Sequence, residues 1–252
     1  SGADVCMLGD IVHNEDVVKM IQSRGIKKTT RLANGKGKTF LIRAHGMDQK
    51  TYRKVSRLGY AIIDATCPMV KEIHKIAQCM EKQCRDIIVI GDKEHDEVRG
   101  IIGQLKGKAI VIEDSRDISA SQLNAIKKAC VIVQSTQNIE KALKILNELR
   151  GHIKDLKFFN TICRPTRLKQ EEIRKMPLKN DVMVIIGSRK SANTKRLYEI
   201  SKSLNKRTYW VNSSGDIKNG WFKGAKSAGI TAGASTPDST TQEIIARIKQ
   251  IN

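Results

Sequence analysis

Short runs rich in valine and isoleucine alternate with amphipathic stretches along nearly the whole chain. This alternation restricts the fold more than any other feature. "TFLIRAHG", "AIIDATC", "DIIVIGD", "AIVIED", "CVIVQST", "LKFFNTIC", "DVMVIIGS", "TYWVN" and "AGITAGAS" have the length and composition of strands. "QKTYRKVSRLG", "VKEIHKIAQCMEKQC", "NIEKALKILNELRGHI", "RLKQEEIRKM", "NTKRLYEISKSLN" and "TTQEIIARIKQ" repeat apolar residues three and four apart, as helices do. Strand and helix alternating at this pitch predict an α/β protein with largely parallel sheets. The alternation is long for one sheet and restarts near residues 67 and 161. Three small α/β units are therefore expected: 1–66, 67–160 and 161–235, with 236–252 completing the first.

No apolar run approaches the roughly 18 residues of a membrane span, and no basic-then-apolar leader opens the chain. A cytoplasmic protein is expected. The chain starts at Ser1 rather than methionine, which points to a processed, trimmed or incomplete product. The net charge is +20. It suits a lysine-rich solvated surface, a polyanionic ligand, an acidic protein partner or nucleic acid. Nucleic acid fits least, because aromatic residues make up only 4% of the chain and stacking platforms would be scarce. Six cysteines in a reducing compartment are fillers, nucleophiles or metal ligands rather than disulfides.

The chemically useful residues share one address, the C-terminal end of a predicted strand. His13 ends "MLGDIVHN", His45 ends "FLIRAHG", and Cys67 follows "AIIDAT". His95 and Glu97 follow "IIVIGDKE", Ser135 and Thr136 end "VIVQST", and Cys163 ends "FFNTIC". Ser188, Ser191 and Asn193 follow "VMVIIG", and Ser235 ends "GITAGAS". Parallel α/β sheets bind ligands beyond these strand ends, where the next helix aims its free N–H groups and positive dipole end. Ser191 and Asn193 also suit plain helix capping, which is compatible with anion binding. His74 lies inside a predicted helix and His152 in a loop, so both are left out. Cys79, Cys84 and Cys130 read as packing residues. Histidines, hydroxyls, an asparagine and helix N-termini around one crevice suit a phosphate or diphosphate. Two thiols at the same level suit a soft metal site. No Cys-x2-Cys pair closes a zinc site, so an iron–sulfur cluster fits better. Glu97 is the strand-end carboxyl placed to move protons.

Together these residues resemble the IspH or LytB family of 4-hydroxy-3-methylbut-2-enyl diphosphate reductases. The resemblance rests on "GDIVHN", "RAHG", "DATCPMVKEIH", "GDKEHDEVRG", "NTIC", "IGSRKSANTKRL" and "GITAGASTPD", in family order along nearly the whole chain. It implies a trefoil of three α/β units around a central cavity. It also implies a [4Fe-4S] cluster held by three cysteines and a two-electron reductive dehydroxylation. By motif, Cys67 and Cys163 resemble two cluster ligands. His13, His45, His95, Ser191, Asn193 and Ser235 resemble the diphosphate cradle. Glu97 resembles the proton relay, and Ser135 matches a threonine that helps hold the departing hydroxyl. The family takes electrons from ferredoxin or flavodoxin, acidic carriers that a +20 chain would attract.

The sequence also departs from the family pattern. The opening strand with its "GFC"-type turn and first cluster cysteine has no counterpart here, so the first unit is expected to be incomplete. Cys6, seven residues before His13, is not expected to replace that ligand. Ala192 stands where many relatives have a second serine, and Arg164 and Pro165 replace the residues common after the second cysteine. The alternative readings are a diphosphate-binding α/β protein without a stable cluster, and a basic RNA-associated protein.

Overall fold

Uninterrupted runs of β-branched residues suit strands covered on both faces, and parallel sheets bury both faces. The computed structural model describes residues 4–12 and 14–251 and has this form. Its elements run β1 (Asp4–Leu8), α1 (Glu15–Ser23), β2 (Lys27–Thr29), β3 (Lys38–Ile42), α2 (Gln49–Arg57), β4 (Ala61–Asp64), α3 (Pro68–Lys82), β5 (Asp86–Ile90), α4 (Asp96–Ile102) and β6 (Ala109–Ile112). They continue through α5 (Ala120–Leu123), β7 (Lys128–Val133), α6 (Ile139–Arg150), β8 (Asp155–Phe159), α7 (Arg164–Lys175), β9 (Val182–Ile186), α8 (Ala192–Leu204), β10 (Thr208–Val211), β11 (Ala228–Ala232) and α9 (Asp238–Lys249). Three sheets result, ordered β2-β1-β3-β4, β6-β5-β7-β8 and β10-β9-β11. Among the described residues, every strand pair is parallel. Two compact units divide the chain: residues 1–12 with 20–162, and residues 13–19 with 163–252.

In the first unit, the two faces of the second sheet follow from the alternation of side chains along β5 and β7. Ile88, Ile90, Val131 and Val133 face one way and pack with Ala142, Ile145, Leu146 and Leu149 of α6. Those four α6 residues form one helical stripe. Ile87, Val89, Cys130 and Ile132 face the other way, against Ile73, Ala77 and Met80 of α3 and Val98 and Ile101 of α4. Leu146→Ala is expected to cost ~2–5 kcal/mol in urea denaturation, because a core sealed on both sides collapses little around a cavity. The first sheet packs Cys6, Phe40 and Ile42 against Val55 of α2 and Tyr60. Phe40 and Tyr60 meet edge to face at 5.8 Å.

In the second unit, one face of the third sheet buries Val182, Val184, Ile186 and Val211. α9 sends Ile244 into this cluster, with Ile248 and Ile251 beside it, whereas the sequence reading gave 236–252 to the first unit. On the opposite face, Met183 and Ile185 pack against Ile173 of α7 and Leu197 of α8.

Among the described residues, no helix is long and apolar enough to cross a membrane.

Candidate active site

In the first unit, three strand ends meet in one polar cluster. β3 ends at Ile42 and runs into Arg43, Ala44 and His45. β5 ends at Ile90 and leads to His95, the N-cap of α4. β7 ends at Val133 and leads to Ser135. Arg43 ties the first two segments through a 2.7 Å ion pair with Asp96. The Gln134 side chain ties the third, accepting the Asp92 N–H at 2.9 Å. The rings of His45 and His95 meet edge to face with centroids 5.2 Å apart. His45, His95 and Glu97 offer donor atoms that all lie within 4.8 Å of one another. The sequence reading placed these residues at strand ends, and the structure brings His45, His95, Glu97 and Ser135 together.

The hydrogen bonds in this cluster assign protons. His95 Nδ1 accepts the Glu97 N–H at 3.1 Å. A nitrogen that accepts carries no proton, so the neutral ring holds its proton on Nε2 and donates from there. Glu97 is 1% exposed. Its Oε1 accepts the Ser135 N–H at 2.6 Å, and its Oε2 accepts the Ser135 hydroxyl at 2.7 Å. Burial pushes the Glu97 carboxyl above its ordinary range, and the two bonds from Ser135 oppose that only in part. A buried carboxyl held toward its acid form beside two imidazoles can release a proton to a bound ligand.

Two thiols occupy helix starts. Cys67 is the N-cap of α3, with proline following at once, and its N–H donates to the Ala44 carbonyl at 2.9 Å. Cys67 therefore stands beside the segment that carries His45. Cys163, in the second unit, is the N-cap of α7, again with proline in the first turn. Neither side chain caps its helix, and both are partly exposed. Helix N-termini favour negative charge, the form in which a thiol binds metal. Cys163 Sγ lies 3.0 Å from Thr166 Oγ1. The other cysteines lack this setting. Cys6 and Cys130 are buried, and desolvation raises both thiols, Cys130 to about 11. Cys79 and Cys84 are exposed near the end of α3. Cys6 sits within β1 in the apolar cluster of the first sheet.

The second unit gathers hydroxyls and an amide at the start of α8. Ser191 is the N-cap, and its Oγ accepts the Thr194 N–H at 3.3 Å. Ser188 Oγ accepts the Lys190 N–H at 3.1 Å. Asn193 is 4% exposed, and neither atom of its amide group finds a hydrogen-bond partner among the described residues. Thr194 Oγ1 is buried in the same state. A Cβ on Gly187 would lie 2.7 Å from Thr194 Oγ1 and 2.8 Å from Thr236 Oγ1. Its φ of +143° adds a second reason for glycine there. Ser235 follows the end of β11, between Gly233 and Thr236. Buried polar groups without partners at the N-terminus of a 13-residue helix have the chemistry that suits an anion. His13 lies outside the described residues.

The sequence reading missed Thr194 and Thr166. Each is buried, and each lies three residues after a residue that the reading did single out, Ser191 and Cys163. That spacing on a helix was the available signal.

These features define an α/β protein with parallel sheets that carries acid–base groups, helix-start thiols and buried hydroxyl and amide groups at its strand ends. The LytB protein family model matches residues 1–249. The 4-hydroxy-3-methylbut-2-enyl diphosphate reductase of Aquifex aeolicus is 36% identical over 254 residues, covering 100% of this chain and 87% of that protein. The protein of the same name from Caldanaerobacter subterraneus is 38% identical, covering 97% of this chain and 85% of that one. A solved (E)-4-hydroxy-3-methyl-but-2-enyl diphosphate reductase, described as the terminal enzyme of the non-mevalonate pathway, superposes with a TM-score of 0.72. It is 37% identical and covers 100% of this chain and 90% of its own. The Plasmodium falciparum reductase superposes with a TM-score of 0.88 at 26% identity, covering 98% of this chain and 78% of that one. The chain belongs to the LytB family.

Proposed function

We propose that this chain reductively removes the hydroxyl of 4-hydroxy-3-methylbut-2-enyl diphosphate, giving isopentenyl and dimethylallyl diphosphates. Two electrons and two protons enter, the C–O bond breaks, and water leaves. The observation that carries the reading is the buried Glu97–Ser135 pair beside His45 and His95 in a chain of this family. In its acid form Glu97 donates from Oε2 to Ser135 Oγ, and the serine hydroxyl turns its own proton outward to the departing oxygen. His95 donates from Nε2, and His45 lies against it. Such donors stabilise anionic oxygen by hydrogen bonding, most strongly in a low-dielectric setting. Ser191, Asn193 and Ser235 are proposed to hold the diphosphate, with His13 as a further member of that cradle.

An iron–sulfur cluster is the group this family implies. The donor chemistry fits: Cys67 and Cys163 are the two cysteines at helix starts, while Cys6 and Cys130 are packed in apolar cores. Cys67 and Cys163 would hold a [4Fe-4S] cluster as two of its thiolates. A ligating thiolate has no proton, so Thr166 would donate to the Cys163 sulfur and stabilise its charge. When bound, the cluster supplies electrons and a Lewis acid for the hydroxyl.

Asn193 gives a direct test of the cradle. Its amide carries a desolvation cost that a bound ligand would relieve, about 1–3 kcal/mol. Asn193→Leu, similar in shape, is expected to leave thermal stability equal or higher and to weaken binding of inorganic diphosphate at least tenfold by calorimetry. A large loss of stability with unchanged affinity would make Asn193 a structural residue.

The electrons are proposed to come from ferredoxin or flavodoxin. Attraction between an acidic carrier and the +20 chain should make reduction slow markedly as salt rises from low to physiological strength. Stopped-flow rates that ignore ionic strength would remove this partner class.

A further inference from the structure

His74 lies in the middle of α3, one turn before the apolar contact of Ala77, and the sequence reading left it out of the site. The structure places it elsewhere. A Cβ on Gly46, the residue after His45, would lie 2.7 Å from His74 Cε1. A Cβ on Gly100, in the helix that carries Glu97, would lie 3.5 Å from His74 Nε2 and 3.1 Å from the His45 carbonyl oxygen. Gly46 also has a φ of +80°, which a side chain would strain. The imidazole is therefore wedged between the turn that presents His45 and the helix that presents Glu97. Its Nε2 is buried without a hydrogen-bond partner among the described residues. Burial lowers the ring to about 4, against the opposing pull of the Asp64 carboxylate, so it is neutral under physiological conditions.

We propose that His74 is a positioning residue for the substrate: its ring props the His45–Gly46 turn against α4 and so fixes where His45 meets the diphosphate. The neutral ring adds no charge to the site; it supplies shape. Small displacements of a binding group are costly, so the effect belongs in affinity and not in folding alone. The inference rests on the reading of His45 as a substrate-binding residue.

The test is a double-mutant cycle on the cluster-loaded chain, read by calorimetric binding of inorganic diphosphate and by KM. His74→Ala is expected to weaken diphosphate about tenfold and to raise KM by a like factor, with kcat within about threefold. In a His45→Gln background the same change is expected to cost less than about twofold, because the residue it positions is already gone. If His74→Ala does not fold, His74→Gln goes through the same cycle and decides the matter. Additive losses, or unchanged affinity in a folded His74 variant, would overturn this inference alone. Failure of the unaltered chain to bind diphosphate would overturn the substrate-site reading and this inference with it.

Discussion

Glu97→Gln is expected to slow turnover about a hundredfold or more and to raise the melting temperature at neutral pH. The two effects have one cause. Glu97 is fully buried, and its carboxyl is held above its ordinary value near 4.5. The fold therefore resists ionising this group, while the unfolded chain ionises it freely. Below the ordinary carboxylate range the acid is neutral in both states and costs nothing. As pH rises, the unfolded chain gains from ionisation that the folded chain resists, so the contribution of Glu97 to stability falls. Glutamine keeps an acceptor and a donor for Ser135 and removes this penalty, so the variant should lose that part of the decline. It also removes the acidic proton that replenishes the Ser135 hydroxyl, which should lower kcat by about 10²–10⁴-fold, the usual worth of a general acid. Thermal melts of both forms between pH 4 and 8, with single-turnover assays, check both halves. A destabilised variant that keeps its activity would show that Glu97 is a structural buried acid.

Cys67→Ser and Cys163→Ser are each expected to remove the iron that the chain binds on anaerobic reconstitution. Hydroxyls are poor ligands for this soft metal group. Cys79→Ser, at an exposed position near the end of α3, should leave iron content unchanged. Cys130→Ser places a hydroxyl in the closed core beside Ile132 and Val89, so it should destabilise the chain without altering iron per folded molecule. Iron and acid-labile sulfide per chain separate these cases. Equal loss in all four variants would mean that iron tracks folding and is not held by particular thiols. Stable, folded chain without iron would favour a diphosphate-binding protein that carries no cluster.

Much of this architecture was legible in the sequence, because its parallel sheets are made from residues that do little else. The apolar runs of β5, β7 and β9 are buried on both faces, so valine and isoleucine mark them almost without a break. Their ends were equally legible, and with them the address of His45, His95, Glu97, Ser135 and both helix-start cysteines. β2 was not legible, since Lys27–Thr29 is a short polar edge strand held by pairing with β1. α4 was missed because it has seven residues and starts on a histidine, outside the usual capping set. α7 begins at Arg164, earlier than its apolar periodicity shows, since proline in the first turn starts a helix that the pattern enters later. An amphipathic helix does not announce its partner, so the packing of α9 on the third sheet is visible only in the folded chain. The same holds for the site. The meeting of His45 with His95 joins the ends of two sheets. The role of His74 depends on two glycines 28 residues before it and 26 after it, and no local pattern joins them.

The most direct measurement is product analysis after anaerobic incubation of the reduced, cluster-loaded chain with 4-hydroxy-3-methylbut-2-enyl diphosphate. Isopentenyl and dimethylallyl diphosphates should appear, with one water released per two electrons consumed, and both should form about a hundredfold or more slowly in Glu97→Gln. A chain that holds its iron–sulfur group and binds the diphosphate, yet returns the substrate unchanged under reducing conditions, would contradict the account.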